Sequence, residues 1–372
     1  MPQSTILDHP DETKRIDKEN MVGLCERTPE FCKDALRLAE EAEIPYKQPG
    51  NIVVAGMGGS AIGGELLKDW LCDKVSIPIE VCRDYALPAY TNENTLVVAI
   101  SYSGETEETL NAFLQAVKRR CMVATVSSGG SLRAFSRRLG APHVQIPEGF
   151  HPRAAIAYLF FPLVKIMEKV GISKETAEVE ETLRVLRKIS RENAQQIPLN
   201  DNSAKRLATQ VMGTIPVVYG FRQYSAVARR LKCQFNENSK VPSKFDVFPE
   251  LNHNEVVGWE TRNSLTKAFS AIFIRDSAEP PEIRQRIDIT EQIVSPNVCK
   301  TLEIHAEGKR KLTRMLSAMY VGDFASLYLA LLRRVNPAST KTIVYLKKEI
   351  KRKLDLTTRF EEEMKRLQRP GK

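Results

Sequence analysis

Between residues 51 and 147 the chain alternates short apolar runs with longer stretches whose apolar positions recur every three or four residues. The runs are "NIVVAG", "IPIEVCRD", "NTLVVAIS", "CMVATVSS" and "HVQIP"; among them lie "SAIGGELLKDWLC", "ETEETLNAFLQAVKRR" and "SLRAFSRRLG". Uninterrupted apolar strands separated by amphipathic helices predict a parallel sheet covered on both faces. Helices are expected over 153–170 and 174–197, and "QIPLNDNS" reads as a domain boundary. After residue 203 the pattern restarts: a helix over 203–212, strand "TIPVVYG", helix "QYSAVARRLKCQF", strand "KAFSAIFIRD", helix "PEIRQRIDITEQIV" and strand "CKTLEIHAEG". A long apolar helix then runs through 335, and a final helix begins near Ser339. Ahead of the first strand, residues 13–43 read as one helix.

Side by side, "NIVVAGMGGSAIGGE" matches "TIPVVYGFRQYSAVARR" in kind, and "TLVVAISYSGETEETL" matches "AFSAIFIRDSAEPPEI". The chain therefore reads as a duplicated α/β unit. Its expected parts are an N-terminal helical segment (1–50), a first α/β domain (51–198), a second, degenerate one (203–338) and a C-terminal helix with a basic tail (339–372). Only the first copy keeps its Gly/Ser loops; the second has Phe221, Arg222 and Gln223 in place of glycines. Without those glycines the backbone cannot wrap an anion closely, so one anion site per chain is expected.

Composition adjusts this picture only slightly. A length of 372 residues suits two domains, and a net charge of +9 favours anionic partners. Much of that excess lies in "LKKEIKRKLDL" and "EMKRLQRPGK", where a solvated helix face explains it. No zinc-finger spacing, basic-region heptad or three-helix N-terminal DNA-binding module is read, so no nucleic-acid partner is expected. No apolar run is read as reaching the ~18 residues of a membrane span. The N-terminal stretch carries Asp8, Asp11 and Glu12 and no apolar core, which argues against a secretory or transit segment. Seven scattered cysteines without CxxC spacing point to reduced thiols and a cytoplasmic setting.

The chemistry concentrates in two loops. "VVAGMGGSAIGGE" satisfies G-x-G-x-x-A after a strand, and Glu80, expected to end the next strand, would suit a ribose; on these grounds alone a dinucleotide site is a legitimate reading. The second loop, "SYSGETEET", separates the alternatives. Ser101, Ser103 and Thr106 place three hydroxyls around a glycine at a helix start, where backbone N–H groups favour a dianionic phosphate. An N-cap would account for one hydroxyl, but not for three opposite a matching Gly58-Gly59-Ser60 loop.

These two loops resemble those of the sugar isomerase (SIS) domain. "CQFNENSKVPS", "ELNHNEVVGWE", "GDFASLYLALL" and "NPASTKTIVYLKKEI" further resemble the bifunctional phosphoglucose/phosphomannose isomerases, over most of residues 15–350. Residues 351–372 run past the usual end of that family, and the "RDS" segment diverges from it. The resemblance implies two SIS-type domains, each a parallel sheet between helices in a Rossmann-like sandwich. It implies a homodimer, no cofactor, and metal-independent interconversion of glucose 6-phosphate or mannose 6-phosphate with fructose 6-phosphate.

By the same resemblance Gly58, Gly59, Ser60, Ser101, Ser103 and Thr106 hold the phosphate, and Glu237 is the base over the C1–C2 bond. A glutamate at a helix C-terminus is electrostatically disfavoured and needs a reason. His253 would open the sugar ring across the dimer interface; a lone histidine is otherwise more often structural. Arg153 would stabilise the enediolate, Lys347 would assist ring opening, and Thr340 would leave room for the C1–C2 bond to rotate. Lys348 competes with Lys347, although it faces about 100° away on a helix. No His/Asp/Glu cluster has metal spacing, so no metal is expected. A sugar-phosphate-sensing regulator is the alternative function, and a nicotinamide-dependent dehydrogenase ranks third.

Overall fold

The computed structural model describes residues 6–261, 263–354 and 356–368. The first five and last four residues, parts of the expected N-terminal and tail segments, lie outside the described residues, as do Arg262 and Asp355. The chain divides into two compact units. One comprises the residues up to Pro29 together with Glu175–Ser339; the other comprises Glu30–Lys174 together with Thr340 onward. The expected cut near residue 198 thus differs from the division by packing. Composition marks linkers, whereas the helix after Lys174 packs with elements much later in the chain.

The N-terminal segment holds three helices where one was expected: α1 (Pro10–Ile16), α2 (Met21–Glu26) and α3 (Thr28–Glu41). The break between α1 and α2 is capped. Asp17 accepts from the backbone N–H groups of Met21 and Val22 at 2.8 and 2.9 Å, and Asn20 adopts φ 53° before the helix. α1 and α2 are too short to form a free-standing module; Leu7, Thr13, Met21 and Val22 are buried in their unit.

The Glu30–Lys174 unit carries β1 (Asn51–Ala55), α4 (Gly59–Leu71), β2 (Ile79–Cys82), β3 (Thr95–Ile100), α5 (Glu107–Lys118), β4 (Met122–Ser127), α6 (Gly130–Leu139), β5 (His143–Gln145) and α7 (Ile156–Lys169). The sheet is parallel, in the order β2-β1-β3-β4-β5. Every residue of β3 is buried, as its continuous apolar run requires. The strand order reverses between β1 and β3, the place where open α/β sheets bind ligands beyond the carboxyl ends of their strands.

The other unit carries α8 (Thr176–Glu192), α9 (Ser203–Val211), β6 (Ile215–Phe221), α10 (Ser225–Glu237), β7 (Lys244–Phe248), β8 (Phe269–Arg275), α11 (Pro281–Val294), β9 (Lys300–His305) and α12 (Lys311–Leu332). Its parallel sheet runs β7-β6-β8-β9, which reproduces β2-β1-β3-β4. The duplication read from the sequence is therefore present as topology. β7 was not anticipated. It is an edge strand between prolines with a half-buried pattern, so it lacks the apolar run that marked the others.

The sequence reading found no membrane-length apolar run, and α12 corrects it: 22 residues long, with a mean hydropathy of 1.5 over its most apolar window. That window is 89% buried in the unit, so α12 is its core helix.

α12 also fixes α10. Arg230 on α10 donates from Nε at 2.9 Å and from Nη2 at 2.8 Å to opposite oxygens of Asp323, and Gln234 donates to the same carboxylate at 3.0 Å. Burial pushes the Asp323 carboxyl up, and the Arg230 guanidinium pulls it back. Replacing Arg230 by alanine leaves the Asp323 charge buried with Gln234 as a donor but without its cation. The expected cost is about 3–5 kcal/mol of stability, read as a lowered urea midpoint; an unchanged midpoint would contradict the buried pair.

Two further helices, α13 (Lys341–Lys353) and α14 (Leu356–Gln368), return to the Glu30–Lys174 unit. The tail expected as one helix with a basic extension thus holds two helices.

Candidate functional site

β1 and β3 are adjacent and parallel, so the loops after them leave the same sheet edge, and α4 and α5 both begin there. In the first loop Gly58 has φ 53° and ψ −124°, a conformation that only glycine adopts without strain. It delivers Ser60, which is buried, into the first turn of α4. A Cβ on Gly59 would lie 3.1 Å from the Pro152 carbonyl oxygen. The turn carrying Arg153 therefore presses against the first loop, and Arg153 itself is only 4% exposed.

In the second loop the hydroxyls of Ser101 and Thr106 lie 2.8 Å apart. Thr106 occupies the N-cap position of α5, yet its side chain makes no capping bond. Capping alone thus fails to explain this threonine. The Ser103 hydroxyl accepts from the Glu105 N–H at 3.2 Å and is exposed. Gly104, at φ 72°, could carry no Cβ without running into the Gly129 carbonyl oxygen. Glu105 ties this loop to α6, accepting from the Ser131 N–H at 2.7 Å.

The corresponding corner of the second sheet is filled by its own chain. Tyr224 is fully buried and donates to Asp276 at 2.6 Å; Asp276 follows β8 as Ser101 follows β3. Arg314 donates to the same carboxylate at 2.9 Å. A phenol, a carboxylate and a guanidinium thus stand where the first copy has glycines and hydroxyls, in line with the loss of glycines read from the sequence.

Glu80 lies inside β2, paired with Val53, and accepts from the Tyr90 hydroxyl. It therefore does not stand at the carboxyl end of the strand, where a ribose-binding acid belongs.

Glu237 is the last residue of α10 and is half-buried. The helix end around it is held firmly. Lys240 donates to the carbonyls of Glu237 at 2.6 Å, Asn238 at 3.2 Å and Pro337 at 3.1 Å, and Asn238 donates to Ser326 at 2.9 Å. Lys240 thereby supplies the cation that a helix C-terminus favours. His253 is exposed at the end of a 3₁₀ turn (Glu250–His253), and a second 3₁₀ turn (Glu255–Trp259) follows it. Asn252 beside it donates to Thr290 of α11 at 2.7 Å.

Thr340 is the N-cap of α13, also without a side-chain capping bond. Lys347 and Lys348 are both exposed on α13, but only Lys347 borders a cavity of about 420 Å³ that Thr106 and Glu107 also line. Burial pushes the Glu107 carboxyl up, and the Lys347 charge opposes that shift. Glu107, Tyr85 and Ser131 were not singled out from the sequence; the only available hint for Glu107 was an acid in a first helical turn. Glu237 and His253 belong to one unit, while the hydroxyl loops, Arg153, Thr340 and Lys347 belong to the other. Among the described residues no three His, Cys, Asp or Glu side chains converge in a metal-holding group.

A doubled parallel sheet with hydroxyl-bearing loops at one switch point places the chain among SIS-domain proteins. Residues 200–350 match the model of the bacterial phospho-glucose isomerase C-terminal SIS domain. The chain is 38% identical over 326 residues to the bifunctional phosphoglucose/phosphomannose isomerase of Caldicellulosiruptor bescii, covering 87% of this chain and 96% of that one. It is 34% identical to the protein of the same name from Aquifex aeolicus, covering 83% and 92%. In fold it is similar to a hypothetical protein of Thermus thermophilus, with a TM-score of 0.72 and 16% identity over 92% of this chain and 94% of the other. The chain belongs to the family of bifunctional phosphoglucose/phosphomannose isomerases.

Proposed function

We propose that the protein interconverts fructose 6-phosphate with glucose 6-phosphate and mannose 6-phosphate through an enediol. The observation that carries this reading is the Ser101–Thr106 hydroxyl pair at the start of α5, whose Thr106 side chain makes no capping bond, beside the Gly58–Ser60 turn. Those hydroxyls and the two helix N-termini suit a phosphate dianion.

With the phosphate held, Glu237 takes the proton from the carbon beside the carbonyl and returns it one carbon away. Arg153 offsets the negative charge that develops on the enediolate oxygen. His253 and Lys347 move protons to and from the ring oxygen as the sugar opens and closes. The reaction is a proton transfer within one substrate, so it requires neither a metal nor nicotinamide. The working state is a homodimer in the cytoplasm, with His253 serving the partner's substrate. A regulator that senses sugar phosphates would bind the same ligands and leave them unchanged.

The test is to incubate the protein with fructose 6-phosphate and a chelator, without nicotinamide. Formation of both aldose phosphates supports the proposal; binding without conversion supports the regulator.

Thr340 governs the ratio of products. The two aldoses differ only at C2, so a single base serves both when the C1–C2 bond can rotate. Thr340→Gln fills that space and is expected to lower the mannose 6-phosphate rate more than the glucose 6-phosphate rate. Equal losses would remove Thr340 from this role.

A further inference from the structure

α13 is a helix that cannot hold itself in place. None of its residues is buried, and Ile343, Val344, Tyr345 and Leu346 are 41–68% exposed. An isolated helix of this length is marginal in water and takes its stability from packing. α14, by contrast, is firmly seated. Phe360 and Met364, four residues apart and hence on one face, are 3% and 0% exposed within the core cluster that includes Leu110, Phe113 and Phe135. Polar pairs flank that seat: Arg138 donates to Glu361 at 2.9 Å and to Gln368 at 2.8 Å, and Lys118 lies 3.1 Å from Glu363. Only two residues separate α13 from α14, so seating one fixes the end of the other. Lys347 stands six residues before the end of α13, roughly 9 Å up the helix. There it borders the same cavity as Thr106 and Glu107 at the start of α5, a cavity that Phe360 also lines.

We propose that α14, which lies beyond the residues matched by the family model, is a positioning element. It anchors α13 so that Lys347 is presented to the N-terminus of α5. Phe360 and Met364 are positioning residues; they act through α13. The consequence for turnover rests on the role proposed for Lys347, whereas the anchoring itself does not.

The test uses the full chain with Phe360→Ala and Met364→Ala together, alongside Phe360→Leu with Met364→Leu and a separate Lys347→Ala. In the double alanine variant the amides of residues 343–350 should exchange rapidly while those of β1 and β3 keep their protection. The turnover number should fall about tenfold or more, since small misplacements of an acting group are costly, with KM for fructose 6-phosphate held. The double leucine variant should restore turnover. Should the alanine pair fail to fold, Arg138→Glu, which sets like charges against Glu361 on the surface, must loosen the same amides. Protected α13 amides in a folded variant, or loss of turnover, KM and β3 protection together, would overturn the anchor. Full turnover in Lys347→Ala would instead remove the lysine from the chemistry, leaving the anchor to be judged by exchange alone.

Discussion

Glu237→Gln is expected to lower turnover by a factor on the order of 10² or more while leaving substrate binding near normal. The substitution keeps the shape of the side chain and removes its capacity to take a proton. The fold should survive it, because the end of α10 is held by Lys240, Asn238 and Ser326 and not by the Glu237 carboxylate alone. The measurement is steady-state kinetics with fructose 6-phosphate, with circular dichroism as the control for folding. Retention of most of the turnover would assign the base to another group.

Ser101→Ala combined with Ser103→Ala is expected to act on binding. Each hydrogen bond lost to a charged ligand costs about 1.5–3 kcal/mol, so KM should rise steeply for all three hexose phosphates alike. Ser101 also faces Thr106, and its loss leaves that hydroxyl without its 2.8 Å neighbour, so substitutions of Ser101 and Thr106 should not be strictly additive. An unchanged KM would detach the phosphate from this loop.

The strands read most closely from the sequence were those whose burial imposes a continuous pattern. β1, β3, β4, β6 and β8 lie inside their sheets, and each appears as an apolar run within a residue or two of its final bounds. The edge strands β2, β5 and β9 were legible too; β7 escaped because "KFDVF" carries Lys244 and Asp246 within five residues and, between prolines, resembles a loop. The single N-terminal helix expected over 13–43 breaks between α1 and α2 because Asp17 and Asn20 cap a new helix start, a signal that the apolar spacing overrode. The division into units was not legible, since α8 joins α9 and α12 only through the folded chain. α14 was hidden by its charge: "LTTRFEEEMKRLQ" looks solvated, and only the four-residue spacing of Phe360 and Met364 marks a buried face.

At the site, the glycine and hydroxyl loops could be read because their chemistry is local: Gly58 and Gly104 meet backbone demands and Ser101 and Thr106 face each other across five residues. Glu107 could not, because its environment depends on Lys347, far along the chain. Lys347 and Lys348 were indistinguishable by spacing and are separated by the cavity that only the first of them borders.

The central claim is proton transfer at C2 by Glu237, and solvent isotope incorporation tests it most directly. Fructose 6-phosphate is converted in D₂O with a chelator and no nicotinamide, and the glucose and mannose 6-phosphates are analysed by NMR at C2. Deuterium at C2 in both products, lost together with turnover in Glu237→Gln, is the expected result. Conversion that persists in Glu237→Gln with undiminished exchange at C2 would contradict it.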